Sequence, residues 1–530
     1  MTNLLTDHLI RVDRSDGTRG VLSLPAVLEA MAHDGVTGFP ALRPHQRHAW
    51  HAFLAQLGVL ALARAGKTDP LQDESGWREL LRLLTPGFPD DQPWCLVVGD
   101  STRPAFMQCP APEGLSAYKK PRTTPDDLDL LATAKNHDVK SSMASQGEAD
   151  DWLFALINLQ TMSGYLGAGN HRIARMNGGY SSRPCLGLAP AEGGLGAHWR
   201  HDVRRMIELR DRLVAAYRPH YFDPDSGLAL LWLEPWDGTD SIRLNELDPY
   251  FIEICRRVRL GFQKGRVVGR TATSKKPRIA AAEAKGNLGD HWTPVSVDGK
   301  ALSLSSAGFR YDRLHRLILD GKLFDLPPAM TVDVSSDEAW RLVARGVAAG
   351  QGKTEGYHER TDIIFGRRMT RSLLGGGEER SALARMSRAQ IEEINEVTRA
   401  LGLAIAIAAS GGKEAALLNR FDREQAYPFL RRLDSVADGH FFGALQERLD
   451  AAERDLSAAR RSFARLLIRS ASALLREAIE TVPCTRIHRF RAQARAASAF
   501  WWRLRRPESV FSDQEDIFET SNLEENASAS

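Results

Sequence analysis

The sequence predicts an α+β protein in which a mixed N-terminal domain is followed by a C-terminal antiparallel four-helix bundle. Strand-like and helical stretches alternate in the first part of the chain. Beyond the glycines at 375–377, apolar residues recur at spacings of three and four with few interruptions. This period is typical of amphipathic helices, and short connections favour antiparallel neighbours. We therefore expect an α+β domain over 1–374, a helical bundle over 375–506 and an acidic, disordered tail over 507–530.

The individual elements are predicted from periodicity and turn signals. The stretches LIRV and VLSL flank Asp16-Gly17 and predict a hairpin. Residues 95–98, CLVV, predict a strand, whereas residues 337–348, DEAWRLVARGVA, predict a helix that ends at a glycine-rich point. Further helices are predicted in the N-terminal domain over 43–65, 74–84, 152–162 and 198–219. The four helical segments of the bundle are predicted over 378–410, 413–436, 440–482 and 486–506.

Charge and cysteine content limit the class of protein. The 70 basic and 67 acidic residues nearly cancel, so the distribution of charge is more informative than its sum. The five cysteines lie far apart, without a CxxC pair, which excludes a disulfide framework and a cysteine-built zinc site. No signal peptide is recognisable, and no apolar run approaches the roughly 20 residues of a membrane span. We expect a soluble, cytoplasmic protein that makes no membrane contact.

Residues 347–354, VAAGQGKT, resemble a phosphate-binding P-loop only in part. That motif requires G-x-x-x-x-G-K-[ST] between a strand and a helix. Here Val347 occupies the first glycine position, and the preceding segment is predicted to be helical. We therefore disfavour an NTPase, and expect a flexible tip that presents backbone and short polar side chains to a groove.

The stretch TMSGYLGAGNHRIARMNGGYSSRP, residues 161–184, contains five glycines and three arginines but no acid. Its first glycines have the spacing G-x-x-G-x-G and follow a helical segment, which excludes a dinucleotide-binding fingerprint. Glycines permit close backbone approach, and arginines without acids favour an anionic partner. A mobile loop with solvated arginines is the alternative, and the composition alone leaves it open.

Residues 256–286 hold ten basic residues against one acid, Glu283. Clustering of this kind is typical of a surface that binds nucleic-acid phosphates. The segment 486–506 adds seven arginines and no acid, but its aromatic run Phe500-Trp501-Trp502 is predicted to pack within the bundle. Both segments point to a polyanionic partner.

Catalytic and metal constellations are weak. The pairs His137-Asp138 and His201-Asp202 are of the kind that bridges metals in HD phosphohydrolases, but the further ligands cannot be assembled. We expect His201 to be an ordinary surface residue. The sequence thus predicts no metal, no cofactor and no catalytic residue.

Several longer blocks occur in a recognisable order, namely NLLTDHLIRV (3–12), NLQTMSGYLGAGNHRIARMNGGYSSRPCLGL (158–188), GNLGDHWTPV (286–295) and GQGKTEGYHER (350–360), before the helical region. In these blocks the sequence resembles the CasA family, the large subunits of the type I-E CRISPR surveillance complex called Cascade. The resemblance implies a non-catalytic subunit at the 5′ end of the CRISPR RNA. Such a subunit recognises the protospacer-adjacent motif (PAM) of duplex DNA through the minor groove, and initiates strand separation and R-loop formation. The implied partners are double-stranded target DNA, CRISPR RNA, the other Cascade subunits and a helicase–nuclease effector.

The resemblance also implies roles for particular residues. The DNA-reading glycine loop corresponds to Gly164, Gly167, Ala168, Gly169 and Asn170, with Gly164 and Gly167 best placed for backbone approach to the groove. The strand-separating wedge corresponds to Gln351, Gly352, Lys353 and Thr354, and it is open whether Gln351 or Lys353 inserts. A lysine finger would be Lys275 or Lys276, and Asn136 and His137 fall in the region that docks the RNA and neighbouring subunits. Arg172, Arg175 and Arg183 are assigned either to DNA phosphates or to holding the loop.

Two other functions are compatible with the same residues. One is a nucleic-acid enzyme, a nuclease or NTPase that uses the HD pairs or the GKT tip. The other is a scaffold whose basic surfaces bind RNA or protein without reading DNA.

Overall fold

The structure, a computed structural model, describes residues 2–129, 147–216, 222–332, 338–351, 353–452, 455–512 and 517–518. The described helices are Leu24–Ala32 (α1), Arg47–Arg64 (α2), Glu74–Arg82 (α3), Asp126–Asp129 (α4), Ala149–Met162 (α5), Leu195–Ala216 (α6), Tyr311–Leu314 (α7), Arg367–Leu374 (α8), Gly377–Ala409 (α9), Arg420–Glu424 (α10), Tyr427–Ala451 (α11), Leu456–Thr481 (α12) and Arg489–Arg505 (α13). The described strands are Ile10–Arg14 (β1), Arg19–Leu22 (β2), Val36–Gly38 (β3), Lys120–Arg122 (β4), Cys185–Pro190 (β5), Leu228–Leu230 (β6), Leu247–Ile252 (β7), Arg257–Gln263 (β8), Arg266–Ala272 (β9), Val295–Ser296 (β10), Phe324–Asp325 (β11), Trp340–Gly350 (β12), Lys353–Arg360 (β13) and Ile364–Phe365 (β14). The chain is therefore α+β, as predicted.

The chain divides into two compact units. The first comprises Met1–Phe309 and Lys322–Ile364, and the second comprises Arg310–Gly321 and Phe365–Ser530. The longer segment of the second unit begins at Phe365, whereas the predicted boundary follows residue 374. The reason lies in α8, which buries Met369 and Leu373 and contacts α9 and α11. Residues 310–321, predicted in the N-terminal domain, also belong to the second unit.

The first unit is built around α2, which is buried almost all round because α5, α6 and β7 contact it. Helix α6 buries Trp199, Val203 and Met206 at spacings of three and four. The same periodicity buries His198 and Asp202 on α6. The predicted hairpin is confirmed, since β1 pairs antiparallel with β2. Among the described residues, no helix is both long and apolar enough to cross a membrane.

Two predicted elements of the first unit are wrong. Residues 95–98 do not form a strand, because only Cys95 makes a bridge, to Asn3, while the apolar side chains are simply buried. Residues 340–350 form strand β12 and not a helix. In β12 the buried residues alternate, with Trp340, Leu342 and Ala344 on one face. Strand β12 lies between β5 and β13, with both of which it pairs antiparallel.

In the second unit, α9 contacts the three other long helices α11, α12 and α13. Helices α9 and α13 confirm the predicted segments, but the middle boundaries differ. Between residues 413 and 426 there are only short helical turns. Helix α11 begins at Tyr427 and continues through Asp438-Gly439, where the sequence predicts a break. The antiparallel four-helix bundle stays a prediction.

The beginning of the predicted tail is ordered. Residues 507–512 form turns that bury Phe511, and Ile517 and Phe518 are buried as well. The Phe518 ring lies against Trp501. The prediction of disorder from residue 507 is therefore wrong for these residues, because apolar side chains anchor them. Residues 519–530 lie outside the described residues.

Candidate nucleic-acid interface

The glycine loop is a closed turn that displays small residues. Leu166 N–H donates to the carbonyl of Asn170 at 3.1 Å, and Asn170 N–H donates to the carbonyl of Gly167 at 3.0 Å. Gly167 and Gly169 have φ of +96° and +76°, a region that favours glycine. Ala168 between them is exposed. Between Leu166 and Asn170 the turn therefore offers backbone and one methyl group to a partner, and the Leu166 side chain at its edge is exposed as well.

Gly164, by contrast, is buried and supports the turn from within. A Cβ at Gly164 would lie 2.5 Å from the carbonyl oxygen of Ser181 and 2.7 Å from that of Tyr180. The Gly164 carbonyl accepts a hydrogen bond from Arg256 Nη2 at 2.8 Å. Gly164 therefore lies behind the exposed turn, and a role for it at the groove stays a prediction.

Arg256 was missed as a loop residue, because the sequence places it only within a basic cluster. Its guanidinium donates to the carbonyls of Gly164 and His171, which stand on either side of the turn. The side chain is buried. Arg256 therefore clamps both ends of the glycine loop, and no local pattern distinguishes it from the exposed cations of the same basic segment.

The two lysines lie beside the glycine loop. Ser274 N–H donates to the carbonyl of Gly169 at 3.0 Å, and the N–H groups of Lys275 and Lys276 both donate to the carbonyl of Gly238. Both lysine side chains are exposed. Lys276 Nζ lies 3.9 Å from a carboxylate oxygen of Asp240. No ion pair of Lys275 is found among the described residues, which favours Lys275 as the finger.

The predicted wedge is the tip of the hairpin formed by β12 and β13. Gly350 pairs with Lys353, and Gln351 lies in the turn that follows Gly350, whereas Gly352 lies outside the described residues. Gln351 is exposed, and Lys353 Nζ lies 3.7 Å from Glu355 Oε1. Thr354, on β13, is half-buried. Because Lys353 and Thr354 are the first residues of strand β13, the GKT sequence cannot be a P-loop, which needs a helix after the glycines.

The hairpin is joined to the glycine stretch through two serines. Ser182 N–H donates to the carbonyl of Val347 at 2.8 Å, and Ser182 Oγ accepts from Val347 N–H at 2.8 Å. Ser181 Oγ accepts from Ala349 N–H at 3.2 Å. The serines follow Tyr180, whose backbone packs on Gly164. The later part of the stretch is thus the bridge between the loop and the hairpin.

Two of the three arginines are buried in ion pairs, which favours holding of the loop over contact with DNA phosphates. Arg183 Nε and Nη2 donate to the two carboxylate oxygens of Asp290, both at 2.5 Å, and both side chains are almost fully buried. Although burial opposes ionisation, Arg183 holds the pKa of Asp290 below its usual value. Arg175 is buried against Glu253 at 3.2 Å and lies over the Phe251 ring. Only Arg172 is partly exposed, and its Nε donates to the carbonyl of Met176.

The basic segment 256–286 is divided by burial. Arg256, Arg257, Arg259 and Arg278 are buried. The cations that remain exposed are Lys264, Arg266, Arg270, Lys275, Lys276 and Lys285. The segment therefore keeps a basic surface, but with six of the ten charges that the sequence suggested.

The remaining predicted residues have mixed outcomes. Asn136, His137 and Asp138 lie outside the described residues. His201 is not an ordinary surface residue, since its ring lies 4.7 Å from that of Trp340 and burial lowers its pKa to about 4. Phe500 is buried as predicted and Trp501 packs against it, whereas Trp502 is exposed.

Gly169 gives a direct test of the contact between the loop and the lysine segment. We expect Gly169→Ala to destabilise the first unit by about 2 kcal/mol or more, because an alanine at positive φ costs about 1–2 kcal/mol. In addition, its Cβ would lie 2.5 Å from Thr273 Cβ. Gly179→Ala is the matched control, since Gly179 has φ of +82° but open space around a Cβ. Urea unfolding of both variants measures the difference, and equal losses would contradict the packing role.

Comparison with known proteins reveals likeness in fold. No protein-family model and no curated protein matches the sequence. Among solved structures, CasA from Thermus thermophilus matches with a TM-score of 0.63 and 13% identity, covering 95% of this chain and 99% of that one. Thermobifida fusca Cse1 matches with a TM-score of 0.63 and 15% identity, covering 95% and 97%. The CRISPR-associated protein Cse1 from Acidimicrobium ferrooxidans matches with a TM-score of 0.62 and 13% identity, also covering 95% and 97%. The resemblance to CasA is thereby confirmed for the fold over almost the whole chain.

Proposed function

We propose that this chain is the non-catalytic large subunit of a type I-E CRISPR RNA-guided surveillance complex, and that it recognises the PAM of duplex DNA through the minor groove. The observation that carries the proposal is the convergence of three elements in the first unit. The glycine loop contacts Ser274, next to the lysine pair, and its base is hydrogen-bonded to the hairpin through Ser181 and Ser182. The likeness in fold to CasA supports the same function.

The chemistry of these elements suits a minor groove. The groove is narrow and its hydrogen-bonding pattern is degenerate, so backbone and small side chains enter it better than long ones. Ala168 and Gly167 provide such a surface, and Lys275 provides an adjacent cation for phosphate or base edges. Weak, salt-dependent phosphate contacts then allow the complex to search ordinary DNA, while the guide RNA supplies sequence discrimination.

The hairpin tip supplies the proposed wedge. Gln351 is exposed at the turn, whereas the ammonium group of Lys353 lies near the carboxylate of Glu355. We therefore assign insertion to Gln351, and electrostatic support to Lys353. Strand separation at this point would begin R-loop formation, in which the CRISPR RNA pairs with one of the separated DNA strands. Docking of RNA and neighbouring subunits by the region of Asn136 and His137, and recruitment of a helicase–nuclease, complete the proposed function.

The wedge assignment predicts a defect that depends on the state of the duplex. We expect Gln351→Ala to slow R-loop formation by about tenfold on paired DNA, equivalent to about 1.4 kcal/mol of barrier. On a duplex that mismatches next to the PAM have already opened, Gln351→Ala and the parent complex should form the R-loop at equal rates. Lys353→Ala is the comparison variant. The fluorescence of a 2-aminopurine base beside the PAM measures opening of the duplex. Equal defects of Gln351→Ala on paired and mismatched duplexes would remove the wedge role.

The function as a whole is tested with the reconstituted complex and a duplex library randomised beside the target. We expect sequencing of the bound fraction to show a strong preference over a few positions next to the target. A flat preference, with binding that falls with salt alone, would favour the scaffold. DNA cleavage or ATP turnover by the lone protein, abolished in His201→Ala or Lys353→Ala, would favour the enzyme.

A further inference from the structure

Three potential metal ligands meet in the core of the first unit. His51 lies on α2, while His198 and Asp202 lie four residues apart on the same face of α6. His51 Nε2 is 2.8 Å from Asp202 Oδ2, and His198 Nε2 is 3.6 Å from the same oxygen. One donor atom from each residue lies within 4.8 Å of the other two. Asp202 is completely buried, and His51 and His198 are nearly so.

Hydrogen bonds within the described residues do not account for all the polar atoms of this cluster. His198 Nε2 and Asp202 Oδ1 are buried without a hydrogen-bond partner. His291 Nε2 approaches Asp202 Oδ1 only to 3.6 Å and is also without one. Buried polar atoms are normally paired, because an unpaired one has lost its water without replacement. Two of these three atoms, His198 Nε2 and Asp202 Oδ1, belong to residues of the cluster of potential metal ligands.

We propose that His51, His198 and Asp202 bind one Zn²⁺ ion. Tetrahedral Zn²⁺ has ligands at about 2.0–2.2 Å, which places its donor atoms roughly 3.3–3.5 Å apart. The spacings from Asp202 Oδ2, 2.8 Å to His51 and 3.6 Å to His198, bracket this value. The two imidazole rings lie nearly parallel with their centroids 3.9 Å apart, so binding also requires the rings to turn until both nitrogens face one point. Two imidazoles and one carboxylate suit Zn²⁺ better than Mg²⁺ or Ca²⁺, which prefer oxygen ligands throughout.

The surroundings provide the rest of the site. A cavity of about 10 Å³, lined among others by His51, His198 and Cys185, has room for about one water molecule as the fourth ligand. Arg345 also lines this cavity, but its Nε lies 2.7 Å from Glu359 Oε1, which offsets its charge. Trp292 Nε1 donates to Asp202 Oδ2 at 2.8 Å and orients the carboxylate.

The proposed ion would join the scaffold below the glycine loop. It would tie α2 to α6 directly, and through Trp292 it would reach the segment that contains Asp290. Asp290 in turn binds Arg183, at the end of the glycine stretch. The role is therefore structural, and it does not depend on DNA recognition by the loop.

The test is the metal content of the full chain. We expect protein purified without chelator, and dialysed against metal-free buffer, to contain about one Zn²⁺ per chain by mass spectrometry. Chelation should lower its melting temperature, and Zn²⁺ should restore it. The key variant is His198→Phe. The centroids of the His51 and His198 rings lie 3.9 Å apart, and the phenylalanine keeps a ring in contact with His51. This variant should retain less than about a tenth of the zinc, because it loses one of three ligands.

His201→Phe is the matched control, since His201 is a neighbouring, half-buried histidine of α6 whose ring lies against Trp340 instead. This variant should keep its zinc. If His198→Phe fails to fold, the visible spectrum of the Co²⁺-substituted parent protein decides, since a four-coordinate site gives intense d–d bands. Absence of bound zinc and of any thermal shift in the parent protein would overturn the proposal. Full zinc content in folded His198→Phe would also overturn it.

Discussion

Replacing Ala168 with glutamate is expected to weaken motif-dependent binding of duplex DNA by about 100-fold, equivalent to roughly 2.7 kcal/mol. Ala168 is exposed at the tip of the glycine loop, between Gly167 and Gly169. A carboxylate there would be carried into the minor groove, where it meets the negative potential of the DNA and has no counter-charge. The stability of the protein should be unaffected, because position 168 is exposed and the new side chain can extend into solvent. Binding of the reconstituted complex to duplexes with and without the motif measures the loss.

Ala494→Glu provides the matched control, since Ala494 is an exposed alanine of the second unit. It adds the same charge to the chain, and should leave motif-dependent binding within about twofold. The salt dependence separates a general from a local effect, because weaker phosphate contact lowers the slope of affinity against salt. If Ala168→Glu lowered binding to both kinds of duplex equally, the loop would be a phosphate contact and not a reader of the motif.

The glycine stretch shows how far local sequence predicts this site. The spacing of its glycines predicts an irregular turn, and the turn at Gly167 and Gly169 has the positive φ that glycine allows. Sequence could not distinguish Arg172 from Arg175 and Arg183, because the partners that bury the last two are far along the chain. Glu253 is 78 residues from Arg175, and Asp290 is 107 residues from Arg183. A buried ion pair of this kind leaves no local signal.

The hairpin was mispredicted for a different reason. In WRLVARGVA the apolar residues satisfy both a helical and an alternating pattern, so the segment is ambiguous until a partner strand is known. Strand β5 provides that partner, with Leu188 opposite Leu342 and Leu186 opposite Ala344. This pairing decides in favour of a strand, and the pairing of β12 with β13 places Gln351 at the hairpin turn.

The second unit shows tertiary packing overriding a local break. The sequence VADGH predicted the end of a helix, but α11 passes through Gly439 without interruption. A glycine inside a helix costs only about 1 kcal/mol. Burial of Phe441 and Phe442, each worth roughly 1.5–3 kcal/mol, outweighs this cost.

The Arg183–Asp290 pair is expected to be among the most sensitive positions for stability. We expect Asp290→Asn to lower the free energy of unfolding by about 3–5 kcal/mol, because it leaves the buried Arg183 guanidinium without its counter-charge. Asp290 also accepts from Thr293 Oγ1 and Trp292 N–H, so the loss disturbs the segment that faces the glycine stretch. Urea unfolding at neutral pH measures the effect. Asp298→Asn is the matched control, since Asp298 pairs with Lys300 at the exposed surface, and its loss should lower the free energy of unfolding far less than the loss of Asp290.

The same pair fixes the sign of a pH effect. Because the folded-state pKa of Asp290 lies below the value of 3.8 expected for an unfolded chain, the folded state favours the ionised carboxylate. The stabilisation is therefore fully present above that unfolded value, and is lost as the pH falls through it towards the folded pKa. Asp290→Asn has no carboxylate to protonate, so the gap in stability between the parent protein and the variant should narrow as the pH falls below about 4. A gap that stays constant from pH 7 to pH 3 would mean that the charge of Asp290 contributes nothing. The pair would then hold the glycine stretch by shape and hydrogen bonding alone.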